Sequence, residues 1–169
     1  MSLAATDSPF PIPRGLALAL AAIGPVALGG IFAARAGVAT PIAVAPAIVF
    51  GVLAATSPAL YIAIAATGDA PPAGRVARAL MVGLGAFGIA LAGLVLPAAF
   101  LSLSSVSPET TVAVTSLALA GAAVLGLQRL SRELATRSPA ASVIFVVWAA
   151  ATLGIAARLW WDLAAEVMS

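Results

Sequence analysis

The sequence predicts an all-α, polytopic integral membrane protein: a single domain of five transmembrane helices, with its N-terminus inside and its C-terminus outside. Three observations lead there. The first is composition, since 63% of the 169 residues are hydrophobic and 8% are charged, with a mean hydropathy of +1.16. A soluble domain carries about a quarter charged residues. The second is that the charges are spaced so as to leave apolar runs of bilayer length. The third is that the Arg residues fall unevenly between alternate joints.

A hydrocarbon core about 30 Å thick takes about 20 apolar residues in a helix. Five stretches qualify. The first, 15–34, is bracketed by Arg14 and Arg35. The second, 42–66, lies inside the uncharged interval Ala36 to Gly68, and the third occupies 79–103. The fourth and fifth run over 110–128 and 138–157. Each is apolar all round, as buried or lipid-facing helices are. Proline and small polar residues mark the joints: Pro9, Pro11 and Pro13 before the first span, Thr40-Pro41 before the second, and Gly68-Asp69-Ala70-Pro71-Pro72-Ala73-Gly74 between the second and third. Ser107-Pro108-Glu109 and Ser138-Pro139 open the fourth and fifth, as proline does at the first turn of a helix. The short connections leave no room between spans for a soluble domain, and no internal repeat or heptad is present.

Short loops rich in basic residues stay in the cytoplasm. The N-terminal segment, the second joint and the fourth joint together carry Arg14, Arg75, Arg78, Arg129, Arg132 and Arg137, while the opposite side carries Arg35 and Arg158 with Glu109, Asp162 and Glu166. That imbalance sets the predicted orientation. A competing reading takes Arg14, the apolar run from Leu16 and Ala34-Arg35-Ala36 as a signal peptide with its cleavage site. The run exceeds the usual 7–15 residues of such a segment, and Gly24, Pro25, Gly29 and Gly30 suit a packed helix better.

The absences exclude much chemistry. There is no His, Cys or Lys, so thiolate or imidazole metal and haem ligation, cysteine nucleophiles, His general bases and lysine Schiff bases are all ruled out. No catalytic, cofactor-binding or metal-ligating residue is expected, because the six acids lie in loops and tails without paired-carboxylate or metal-ligand spacing. The pI near 10.5 reflects eight Arg against six acids, a net charge of only +2, and no basic face for nucleic acid. Arg as the sole base beside abundant Ala is the composition of a G+C-rich genome, which points to a bacterial inner membrane.

Three constellations remain. Small residues recur at four-residue spacing: Gly30 and Ala34; Gly88 and Ala92; Ala118, Ala122 and Gly126; Ala150 and Gly154. Such faces let backbones approach in lipid and predict thin helices in a tight bundle with little interior volume. In the second span, Pro46 and Pro58 free the carbonyls of Ile42 and Ala54, and Ser57 and Tyr61 share a face beside Thr56. As a site, Ser57, Pro58 and Tyr61 form a polar kink of the sort that coordinates a cation or small solute in transporters. The plainer reading, which the sequence favours, is a proline kink whose freed carbonyl is satisfied by Thr56, Ser57 or a neighbour.

At the end of the fifth span, Arg158, Trp160, Trp161 and Asp162 form an interfacial anchor. The alternative is a short outward helix, running on to Met168, that contacts a partner. Trp148, in mid-span, is expected to pack against Gly-rich neighbours. Arg129, Arg132 and Arg137 lie where they contact cytoplasmic headgroups, each basic residue adding about 1 kcal/mol. Gln128 ends the fourth span, where its amide reaches the interface or bonds across helices.

Five closely spaced helices in this orientation, with Thr56-Ser57-Pro58-Ala59-Leu60-Tyr61, a short loop and a Gly-rich third helix, resemble the Yip1 family over Pro41 to Asp162. That family comprises polytopic membrane-traffic proteins of eukaryotes and bacterial relatives. Its Gly-Tyr and Tyr-Gly signatures are absent, so the resemblance is architectural and transfers no functional residue. The expected function is that of a non-enzymatic structural or assembly subunit, partnered by the bilayer and by other membrane proteins or itself. A small-solute or ion transporter using the kinked second helix is the alternative.

Overall fold

The computed structural model describes residues 14–68, 71–104, 107–134 and 138–168, and in the helices the side chains of 14–18, 20, 167 and 168 stand outside the description. The sequence features at Pro9, Pro11, Pro13, Asp69, Ala70 and Arg137, and the side chain of Arg14, therefore lie outside the described residues. The described residues form five α-helices: α1 (Arg14–Ala36), α2 (Thr40–Ala65), α3 (Ala73–Ser104), α4 (Pro108–Leu134) and α5 (Pro139–Met168). Among them, α2, α3, α4 and α5 are each long and apolar enough to cross a membrane, and α1 contributes a shorter apolar stretch, Ala21–Ala36. The protein is an α-helical membrane protein.

Helix ends follow local chemistry. Gly37, at φ +71°, closes α1 by donating its N–H to the Ala33 carbonyl at 2.9 Å, the left-handed C-cap that glycine adopts without cost. Ser107 caps α4, its Oγ accepting the Thr110 N–H at 3.2 Å, with Pro108 at the first helical position. Three helices outrun their apolar spans. α3 begins at Ala73, α4 continues through Arg132 to Leu134, and α5 continues without a break past Trp161. Charge ends an apolar run but not a helix, and the segment after Arg158 is the last part of α5 rather than a separate element.

The distribution of side chains is inverted relative to a water-soluble bundle. Leu96, Phe100, Leu117 and Val146 face outward, while Ser102, Thr111 and Thr115 are fully buried. In lipid there is no hydrophobic drive between helices, so close packing of small residues and internal hydrogen bonds hold them together. The tightest seam is that of α3 on α4. A Cβ on Gly83 would stand 2.9 Å from the Leu130 Cβ and 3.1 Å from the Gly126 carbonyl, and one on Gly126 would stand 2.9 Å from the Phe87 Cβ. Ala118 and Ala122 continue that seam, which is where the predicted stripe with Gly126 is used.

α1 touches all four other helices, most broadly α3 and α2. Its close approach to α2 is at Gly29, where a Cβ would lie 2.8 Å from the Ile42 Cα and closer still to the Pro41 carbonyl. Gly30, the residue singled out by spacing, has nothing within 4 Å of its Cβ position, and Ala34 is exposed. One residue is a 100° turn of the helix, so the spacing found the right turn and the wrong face. Arg35, in the last turn of α1, donates to the Ser102 carbonyl near the end of α3, a group within the last turn of that helix.

The helices thus run α4, α3, α1, α2, α5 around an open ring, with α5 seated on α2 and only lightly touching α4. The expected tight packing is realised at the α3–α4, α1–α3 and α1–α2 seams.

Adjacent glycines give a paired test. Gly29→Ala meets immovable backbone and should destabilise by about 1–3 kcal/mol. Gly30→Ala should be neutral or stabilise by about 0.5–1 kcal/mol. Thermal unfolding of both variants in the same detergent checks this, and equal midpoints would refute the assigned α1–α2 contact.

Candidate functional site

The polar residues around Pro58, inside the continuous helix α2, are engaged locally. Pro58 faces outward, and Ser57 and Tyr61 are half-buried. The Thr56 hydroxyl donates to the Val52 carbonyl at 2.9 Å and the Ser57 hydroxyl to the Leu53 carbonyl at 2.5 Å. These are not the carbonyl of Ala54 that Pro58 releases. They are the ordinary i−4 back-bonds of hydroxyls in a helix. Tyr61 packs its ring at the edge of a cluster with Leu60, Ile64 and Val76.

This stretch of α2 instead acquires a long-range partner. The Trp148 indole N–H on α5 donates to the Thr56 carbonyl at 2.8 Å. A carbonyl has two lone pairs, so it can serve its own helix and accept this donor as well. Trp148 is buried among Leu60, Ile64, Leu130 and Leu134, with Phe145 tilted against it at 5.9 Å. Gly83 and Gly126 line the same cavity as Trp148, beside this aliphatic cluster. A mid-span indole needs an acceptor in lipid, and the only polar atoms available there belong to backbone or hydroxyls.

Trp160 plays the matching part at the other end of α5. Its indole is buried, donates to the Ser116 Oγ on α4 at 2.8 Å, and meets the Phe32 ring of α1 edge-on at 5.0 Å. Trp161 is the indole that faces outward, with 57% of its surface exposed. Beside it, Arg158 and Asp162 form an exposed ion pair at 3.1 Å, one turn apart. Arg129 is paired with Glu133 at 3.3 Å and Arg132 is exposed at the end of α4, where Gln128 also faces outward. Exposed pairs at this spacing contribute about 0.3–0.5 kcal/mol.

Between the α3–α4 pair and the α2–α5 pair lies a cavity of about 580 Å³, open sideways between α4 and α5. Its walls run along α4 from Ser116 to Leu130 and along α5 from Trp148 to Trp161, with Val52 and Phe87 from α2 and α3 behind. No charged side chain lines it. Sequence spacing gives no sign of this slot, because the indoles that bond α5 to α2 and to α4 are identifiable only once their partners are known.

The two indole bonds fix α5, and each should contribute about 0.5–1.5 kcal/mol. Trp148→Phe should lower the unfolding midpoint and increase hydrogen exchange of the α5 amides, whereas Trp161→Phe should change neither. A Trp148→Phe protein that matches wild type in both would remove the Thr56 bond from the account.

Comparison with protein-family models, with curated proteins and with solved structures found no match to this chain.

Proposed function

We propose that the chain crosses the membrane five times, N-terminus in and C-terminus out, in a bacterial inner membrane, and serves as a non-enzymatic structural or assembly subunit of a larger membrane complex. Five crossings are supported by the contacts of α1 with every other helix of the bundle. The orientation rests on the Arg imbalance between alternate joints.

The subunit role is carried by one observation. Small residues that the bundle does not use face outward: Ala150, Gly154, Gly51 and Gly93 are exposed, and a Cβ on any of the three glycines would meet nothing within 4 Å. In lipid, such faces are where another helix can approach closely. The transport reading draws less support, since the hydroxyls of Thr56 and Ser57 are bonded to carbonyls of α2 itself.

Reporter fusions should place the N-terminus in the cytoplasm and the C-terminus outside; both ends in one compartment would refute five crossings. Crosslinking in native membranes should recover this chain with another membrane protein or with itself, and Gly154→Leu should reduce the yield severalfold. A strict monomer in mild detergent, with no crosslinked species from membranes, would overturn the subunit reading.

A further inference from the structure

The α3–α4 seam gathers onto one face arginines that lie far apart in the sequence. Leu130 stands against Gly83 and Phe87 against Gly126, so the two helices pair antiparallel. The same pairing carried toward the loop sets Ala79 opposite Leu134, both buried. In an antiparallel pair, side chains that follow a seam residue by one position, about 100° round each helix, point to one side, and those that precede it by one point to the other. Leu80 and Leu84 on α3, and Ala123 and Leu127 on α4, each follow a buried seam residue, and all four line the cavity toward α2 and α5. Arg75 and Arg78 precede the buried Val76 and Ala79, and Arg129 precedes the buried Leu130, which puts all three on the opposite, outer side. Arg132 lies on that side too, about 60° round α4 from Arg129. All four arginines are exposed.

Each helix thus contributes one pair. Arg75 and Arg78 are about 4.5 Å apart along α3, as Arg129 and Arg132 are along α4. The register places Arg78 about 4.5 Å beyond Arg132 along the axes, across an interaxial gap of about 8–10 Å. Arg129 is shared with Glu133 at 3.3 Å, while no ion pair among the described residues engages Arg75, Arg78 or Arg132. Four positive charges and one negative leave the face at +3. Retention of a joint in the cytoplasm depends on the number of arginines it carries and not on the face they occupy, so their alignment is a separate fact. Along the span the same side of α4 continues through Leu125 and Leu117, which precede Gly126 and Ala118 and are 50% and 75% exposed. The surface is therefore cationic at the end of the helix pair and apolar along it, the complement of a lipid with an anionic head.

We propose that this face binds one anionic phospholipid whose headgroup carries two phosphodiesters, one held by Arg75 and Arg78 and the other by Arg129 and Arg132, with acyl chains along Leu125 and Leu117. Guanidinium groups hold phosphate through paired N–H donors, so two neighbouring arginines suit one phosphate. A headgroup with one phosphodiester engages one pair and leaves the other; a headgroup with two bridges α3 and α4 and offsets two of the three excess charges. Four basic residues beside a membrane span form a cluster of the size that recognises anionic headgroups. The inference rests on the bundle lying in lipid and is independent of the direction of insertion and of the subunit role.

Native mass spectrometry of the full chain in mild detergent tests it, with tetraoleoyl cardiolipin and dioleoyl phosphatidylglycerol added in turn as the two-phosphate and one-phosphate probes. In detergent both ends of the bundle meet added lipid, so orientation does not enter. Wild type should bind one cardiolipin at a concentration at least about tenfold below that needed for phosphatidylglycerol. Arg75→Gln with Arg78→Gln, and separately Arg129→Gln with Arg132→Gln, should each weaken cardiolipin binding about 25-fold, at about fivefold per arginine, and erase the preference. Where a double variant does not fold, Arg78→Gln and Arg132→Gln alone should each weaken it about fivefold. Arg158→Glu removes two units of charge at the other end of the bundle, near the Trp160–Ser116 bond, and should leave both affinities unchanged.

A wild type without preference between the two lipids, a loss confined to the pair on one helix, or an equal loss in Arg158→Glu would each overturn the proposal. Release of the wild-type chain from membranes by alkaline carbonate would instead overturn the placement of the bundle in lipid.

Discussion

Backbone proximity is the constraint on which this structure depends. With hydrocarbon as solvent, burying Leu or Val between helices gains little over leaving them in lipid, so the helices are held where their axes come closest. Gly83 and Gly126 bring α3 and α4 together, and Gly29 brings α1 onto the start of α2. Large side chains such as Leu96, Phe100 and Leu117 are consequently free to face outward, and the hydroxyls of Thr111 and Ser102 take interior positions that a soluble core would give to aliphatics. The order of the helices around the ring follows from which pairs possess such a meeting point.

α5 has none, and it is attached differently. Gly154 faces outward with no neighbour, so the helix is held by two indoles and by the aliphatic cluster around Trp148. The Trp148 bond ties α5 to α2 and the Trp160 bond ties it to α4, and both indoles line the slot between the helix pairs. The same two side chains therefore hold α5 in place and form part of the cavity wall beside it.

Much of this was legible in the sequence. The positions of Arg14, Arg35, Arg75, Arg78, Glu109, Arg129 and Arg137 divide the chain into five apolar runs, and five helices lie on them. Helix ends were less legible, since nothing in an apolarity argument stops α4 at Gln128 or α5 at Ala157 when the backbone hydrogen bonds can continue into polar surroundings. The stripe Ala118, Ala122, Gly126 is the packing face that its spacing implies, but spacing picks out Gly30 where the contact is at Gly29, because it cannot tell neighbouring faces apart in a chain so rich in alanine. The polar kink and the aromatic end of α5 were recognised as unusual, yet their principal bonds, Trp148 to Thr56 and Trp160 to Ser116, join residues 92 and 44 positions apart, and no local pattern encodes such pairings.

Those two bonds have a mechanical consequence. They leave α5 about 18 Å apart along its axis, at azimuths separated by about 120°, and reach two different helices. A rod pinned in this manner can neither roll nor slide without breaking both attachments at once. It can swing about either pin while the other lets go: a door-like motion hinged at the Thr56 carbonyl lifts the far end of α5 from α4, and one hinged at the Ser116 hydroxyl lifts the near end from α2.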